Sequence, residues 1–343
     1  MTAQKRKPAQ EFNPSPNKKS KSHSADIRSK IDRIIHSNSV QSDTLIQLLI
    51  KHGHTSWPEK AGWTMIHYAI SLAARQGKTA CFLALLDLYH DTPLPIKAGW
   101  TMVHFAIHQA TTYGKTDCLL TLLNQYGDTP VPGKADYNMI HFAIQYAARF
   151  GKTSCLLTLL NQYKDTSCAG IESCKVAHYA IGLAAKSGQT NCLLMLLDQY
   201  GRTPSPLNKD GTMVHEAIHL TAINGKTACL MAMLDRYHNT TWPGSEGWSM
   251  VHYAIYEAAK YGKTDCLLKL LEKYKHTPWP READWTMVHY AISYGIENNQ
   301  ISCVEKVLIK YKDTLCPTNN YWRVAQYAIH EAAKHKKTDC LKQ

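Results

Sequence analysis

Two stretches of one unit decide the fold: Trp63-Thr64-Met65-Ile66-His67-Tyr68-Ala69-Ile70, and, a few residues on, Gly77-Lys78-Thr79-Ala80-Cys81-Phe82-Leu83-Ala84-Leu85-Leu86. Met65, Ile66, Ala69, Ile70 and Ala73 recur at helical spacing, which predicts a helix with one apolar face. Thr64 stands at the N-cap position and Gly77 is a natural left-handed stop. Thr79 is expected to cap a second helix, whose apolar face is Cys81, Phe82, Leu85, Leu86 and Tyr89. Asp91-Thr92-Pro93 and Pro95 then stop that helix and make a turn or extended loop of about ten residues.

The unit recurs. His67, His104, His141, His178, His215, His252 and His289 are each 37 residues apart, and Gln326 continues the column. Cys81, Cys118, Cys155, Cys192, Cys229, Cys266, Cys303 and Cys340 keep the same step, as do an Ala-Ile pair and a Tyr column, without insertion or deletion. A single helix hairpin cannot bury both faces, whereas stacked neighbours can, so the pattern predicts a repeat solenoid. Residues 61–343 hold eight units, the last stopping one turn into its second helix. Residues 25–60 read as an N-terminal capping half-repeat: Ile27, Ile31, Ile34 and Ile35 suggest one helix, Leu45, Ile46, Leu48 and Leu49 another. Residues 1–24 read as a disordered basic tail.

Thr101-Met102-Val103-His104-Phe105-Ala106 resembles the T-P-L-H-x-A signature of the ankyrin repeat family, and Gly114, Cys118-Leu119, Leu122-Leu123 and Asp128 follow at ankyrin-like intervals. The resemblance covers Ile27–Gln343. It departs in two ways. Met replaces the usual Pro, and four extra residues lie between His104 and Gly114, about one helical turn. It implies an all-α, ankyrin-like helical-hairpin solenoid with a longer first helix. It also implies a non-enzymatic protein-binding scaffold that grips partners with hairpin tips and the inner-helix face.

The chain carries 39 Lys plus Arg against 27 Asp plus Glu, a net +12, which allows acidic partners. Hydrophobic residues make up 44%, yet no run nears the ~18 apolar residues of a membrane helix, and the N-terminus lacks the apolar core of a signal peptide. No membrane role is expected. In the tail, Lys5, Arg6, Lys7, Lys18, Lys19 and Lys21 form two basic clusters that resemble a bipartite nuclear localisation signal, which implies an importin-type receptor and a nuclear destination. Near-identical repeats plus such a signal resemble secreted effectors of intracellular bacteria that act in a host nucleus. Gridded cysteines on an apolar helix face fit reduced thiols in a reducing compartment, not disulfides.

Three motifs resemble catalytic or metal chemistry. Gly77-Lys78-Thr79 and its copies lack the earlier glycine and the preceding strand of a P-loop, so they read as turns. His215-Glu216-Ala217-Ile218-His219 spells H-E-x-x-H, but His215 belongs to the repeating column and no third ligand follows. Cys168, Cys174 and His178 have loose spacing and no fourth ligand. No cofactor, metal or catalytic residue is expected.

Binding candidates come from what varies or stays exposed. Trp63, Trp100, Tyr137, Trp248, Trp285 and Trp322 precede the first helix near the hairpin tip, where they either anchor a partner or stack and stiffen the loops. Tyr68, Phe105, Phe142, Tyr179, Tyr253, Tyr290 and Tyr327 form a second aromatic column, read as packing between units. Ser71, His108, Gln145, His219 and Tyr256, with Arg75, Arg149, Lys186 and Lys260 one turn on, vary most among the copies, which suits a non-repeating partner. Lys78, Lys115, Lys152, Lys226, Lys263 and Lys337 form a basic stripe. With the Trp column it supports an alternative, nucleic-acid binding by phosphate contact and base stacking.

Overall fold

A computed structural model describes residues 18–37, 42–95, 97–134, 136–163, 166–168, 171–206, 210–243, 247–278, 285–316 and 319–337. The side chains of residues 18–22, 168, 171–174 and 319–322 also fall outside it. The described residues up to 127, with 131–133, form one compact unit, and the described residues 128–130 and from 134 onward a second.

The first unit contains α1 (Lys18–His36), α2 (Ser42–His52), α3 (Met65–Gln76), α4 (Thr79–Tyr89), α5 (Met102–Tyr113) and α6 (Thr116–Tyr126). The second begins with α7 (Met139–Arg149), α8 (Thr153–Tyr163), β1 (Ser167–Cys168), β2 (Ile171–Lys175), α9 (Val176–Ser187) and α10 (Thr190–Tyr200). It continues with α11 (Met213–Ile223), α12 (Thr227–Tyr237), α13 (Met250–Lys260), α14 (Thr264–Tyr274), α15 (Met287–Glu297), α16 (Ile301–Tyr311), β3 (Leu315–Cys316), β4 (Asn319–Arg323) and α17 (Val324–Lys334). Among the described residues the helix pairs of the first seven units are present, with α17 as the first helix of the eighth, so the fold is an all-α, ankyrin-like helical-hairpin repeat. Within a unit, first helices pack on first helices and second on second: α3 on α5 and α4 on α6, or α9 on α11 and α10 on α12. Each interface buries the Ala column of the first helices (Ala69, Ala106, Ala180, Ala217 and Ala254 are inaccessible) and the Leu pairs of the second.

The helix ends explain the period. Gly77 ends α3 at φ 72°, and the next amide bonds back to the Ala73 carbonyl, the left-handed stop expected there. The second helix differs from expectation. Thr79 is its first residue and Lys78 holds the cap position. The Thr79 hydroxyl instead hydrogen-bonds the Cys118 thiol of the next repeat, and Thr190, Thr227 and Thr264 do the same to Cys229, Cys266 and Cys303.

The connecting loops fold back on themselves as narrow β-ribbons. Single bridges Ser56–Thr64, Pro93–Thr101, Pro204–Thr212 and Thr241–Ser249 close most of them. Two loops become antiparallel strand pairs, β1–β2 and β3–β4. Ser167 and Leu315, which open them, stand four 37-residue periods apart. In both, the Ser, Thr or Asn that caps the other first helices is replaced, by Lys175 and Arg323. At the N-terminus α1 starts at Lys18, inside the segment read as tail. Ile27, Ile31 and Ile35 are buried with Leu45 and Leu49, and α1 and α2 pack on α3 and α4.

Candidate functional site

The repeating His column caps its own helices, and His141, His215 and His252 also join one repeat to the next. In the first unit the Thr64 amide donates to His67 Nδ1 at 3.1 Å, and the Thr64 hydroxyl lies 2.9 Å from the same atom. In the second unit the far nitrogen reaches the next loop: His141 Nε2 donates to the Ser167 carbonyl at 2.8 Å, His215 to Thr241 at 3.0 Å and His252 to Pro278 at 3.0 Å. This geometry requires a neutral imidazole protonated at Nε2. Burial agrees with it. It lowers the pKa of His67 and His289 to about 4 and lowers those of His215 and His252. His215 is thus committed on both nitrogens, and its H-E-x-x-H partner His219 faces Tyr253 and Glu257 instead. His178, whose helix lacks a Ser or Thr cap, keeps a buried Nδ1 with no partner.

The pre-helix aromatics pack. Trp63, Trp100 and Tyr137 are buried, and Trp248 and Trp285 are half-buried. Each ring sits against the His four residues on, as Trp63 does on His67 at 4.8 Å and Trp285 on His289 at 5.1 Å. Trp63 also meets Phe105, Trp248 meets Tyr290 and Trp285 meets Tyr327, so this column and the second aromatic column interlock across repeats. Loop lysines cover the outer faces: the ammonium of Lys60 lies 4.8 Å from the Trp63 centroid, and that of Lys134 lies 4.5 Å from Tyr137. The side chain of Trp322 lies outside the described residues.

The variable inner-helix positions pair with the following repeat. The Ser71 hydroxyl donates to Gln109 Oε1 at 3.3 Å, His219 Nδ1 lies 3.6 Å from Glu257 Oε1, and the Ser293 hydroxyl donates to Glu331 Oε2 at 2.8 Å. Gly182 opposes Leu220 at the same register. The Tyr137 hydroxyl donates to Gln145. Sequence reasoning picked Ser71, Gln145 and His219 for their variation but missed their partners. A step of 38 residues between the cross-repeat partners was the available signal.

One turn on, the picture changes. Arg75, Arg149 and Lys186 are exposed. The next position carries an exposed aromatic: Tyr113 (41% exposed), Phe150 (40%) and Tyr261 (46%). The Arg75 guanidinium lies 5.5 Å from the Tyr113 ring, and Lys260 sits over Tyr256 and Tyr261.

The lysine stripe folds back on the preceding repeat. Lys78 Nζ donates to the Ser37 carbonyl at 3.1 Å, at the end of α1. A Cβ built at Gly77, Gly188 or Gly225 would meet the stems of Lys115, Lys226 or Lys263 within 3.0 to 3.5 Å. Gln189, which replaces Lys in the fourth repeat, donates to the Arg149 carbonyl at 3.0 Å. Lys78 and Gln189 thus serve carbonyls at the C-terminal end of a neighbouring helix, where positive charge such as that of Lys78 is favoured.

Cys81, Cys118, Cys155, Cys192, Cys229, Cys266, Cys303 and Cys316 are buried thiols. Burial pushes Cys118 and Cys266 up to about 11 and Cys192 up to about 12. Among the described residues no helix is long and apolar enough to cross a membrane. Lys5, Arg6 and Lys7 lie outside the described residues, and Lys18, Lys19 and Lys21 belong to α1 without a described side chain.

No family model matches the chain. No curated protein matches it either. Among solved structures, the human ASB11 ankyrin repeat domain is similar at 19% sequence identity and a TM-score of 0.36, covering 66% of this chain and 96% of that one. The hairpin architecture rests on the hydrogen bonds and packing described above.

Proposed function

We propose that this chain is a non-enzymatic scaffold that binds another protein through the exposed ends of its first helices and the adjoining loops. The observation that carries this reading is the clustering of cations with exposed aromatics at the C-terminal ends of those helices. Arg75 lies beside Tyr113 in one unit. In the other, Lys260 lies beside Tyr261, and exposed Arg149 precedes exposed Phe150 in sequence. Aromatic and Arg side chains dominate protein-binding energetics when a partner desolvates them. The Lys78 ammonium bends to a helix end, and the stems of Lys115, Lys226 and Lys263 lie against the preceding glycines, which favours a protein partner over a phosphate backbone.

The basic N-terminal segment is proposed as an importin-type ligand that directs the chain to a nucleus, that of a host cell if the chain is a secreted effector. Fluorescent fusions with and without Lys5, Arg6, Lys7, Lys18, Lys19 and Lys21 changed to Ala test it. Equal nuclear accumulation of both would overturn it.

The scaffold reading is tested by pull-down from nuclear extract at physiological salt, with and without nuclease. A discrete protein captured despite nuclease, and lost with Arg75→Glu or Arg149→Glu, supports it. Recovery that collapses with nuclease or modest added salt would replace it with nucleic-acid binding.

A further inference from the structure

The first helices share a column at 37-residue steps, in which Gln109, Leu220, Glu257, Tyr294 and Glu331 face the preceding repeat. Two members of it are buried acids. Glu331 has both oxygens served, by Ser293 at 2.8 Å and Lys334 at 3.3 Å. Glu257 does not. Only 3% of its side chain is accessible. Its Oε1 is engaged by His219, and Tyr253 also bonds the carboxylate. Its Oε2 is buried with no partner. A buried carboxylate oxygen with no donor is costly, and such an exception in a folded protein calls for an explanation.

The surroundings point to what is missing. Glu257 bonds Tyr253, which belongs to a contiguous group of half-exposed rings with Trp242, Trp248, Tyr256 and Tyr294. Trp242 stacks on Tyr253 at 3.3 Å. Tyr256 and Tyr294 stand at 86° with centroids 4.7 Å apart, and Trp248 stands at 72° to Tyr256 at 6.0 Å. Ring faces carry negative potential, and faces set at right angles present it from several sides at once. The buried Glu257 side chain bonded to Tyr253 adds an acceptor oxygen that has no donor. An ammonium already samples the rim: Lys260 Nζ lies 5.2 Å from the Tyr256 centroid and donates to its hydroxyl at 3.2 Å.

We propose that the half-exposed aromatic cluster beside Glu257 is a subsite for a lysine-type ammonium side chain of the bound protein partner; it rests on the scaffold reading and names the partner's chemistry at this point. An ammonium fits better than a guanidinium, because only one carboxylate oxygen lacks a partner and the Arg fork needs two. Lys260, half-buried and bonded to the Tyr256 hydroxyl, is the internal competitor.

The test uses the full chain and three probes: Nα-acetyl-lysine methylamide, its Nε-acetylated uncharged form and Nα-acetyl-arginine methylamide. Binding is read from the indole N–H NMR signals of Trp242 and Trp248, assigned with Trp242→Phe and Trp248→Phe. Saturable shifts are expected with the lysine probe and none with its acetylated form. Glu257→Gln should weaken lysine binding by about tenfold. That variant is expected to fold, since Gln109 holds the same column two hairpins into the array. Lys260→Met should strengthen binding. Equal binding by Glu257→Gln, equal binding of the acetylated probe, arginine preferred over lysine, or weakening by Lys260→Met would each overturn the subsite. Any of these results alongside intact capture of a protein partner from extract removes the subsite and leaves the scaffold reading standing.

Discussion

His252 joins two repeats: its Nδ1 accepts from the Ser249 amide at 3.0 Å while its Nε2 donates to the Pro278 carbonyl at 3.0 Å. One side chain thereby satisfies the first turn of its own helix and the loop that leads into the next. His215 makes the same pair of bonds to Thr212 and Thr241. The column earns its regularity by this double use.

Replacing His252 by Ala strands the Ser249 amide and the Pro278 carbonyl, at a cost of about 1–3 kcal/mol. Gln should cost less, because Gln326 already supplies the cap in the eighth repeat, accepting from the Arg323 amide at 2.5 Å. Urea unfolding of the two variants gives the comparison. Equal losses would show that the cross-repeat bond, not the cap, carries the stability.

Acid should loosen the array. His67 and His289 have folded pKa values lowered to about 4 by burial, below the ordinary 6.5. The unfolded chain therefore binds protons that the folded chain refuses between pH 6.5 and 4. Stability is full above about pH 6.5 and falls toward pH 4, by roughly 3 kcal/mol per imidazole at the limit. Urea midpoints measured from pH 7.5 to 4 should drop most steeply in that window, and His289→Gln should flatten the drop.

The gridded thiols should resist modification in the folded chain. With Cys118 at about 11 and Cys192 at about 12, the thiolate fraction at pH 8 is on the order of one in a thousand or less. A chromogenic disulfide reagent should label them only as urea unfolds the repeats. Fast labelling without denaturant would show that the second-helix interfaces open.

Gly225 ends α11 at φ 62°, and a Cβ there would meet Lys263 at an ordinary 3.5 Å. The cost of Gly225→Ala is therefore conformational, about 1 kcal/mol. Gly225→Asn should cost less, since Asn299 holds the corresponding position of the seventh repeat at φ 62°. Thermal melts of both variants decide it; an Ala variant as stable as the parent would refute the strain.

The sequence by itself determined the period, the two helices of each unit, the glycine stop after Gln76 and the Thr64 cap. All of these are set within one unit by apolar spacing and local hydrogen bonding. It also determined that His67 and its copies are structural and that the cysteines face a packed interior. Only the tertiary structure decided which columns meet. Periodicity reports the angle of a residue around its own helix, not the register of the helix beside it. So Ser71 against Gln109, His219 against Glu257 and Thr79 against Cys118 were invisible, although every residue involved stood in a recognised column. The same reason buried Trp63 and Trp100 and bent the lysine stripe back over the preceding glycines. Of the residues named for their variation, Ser71 and His219 are committed to a neighbouring repeat. The surface left to a partner is set by what the stacking leaves uncovered.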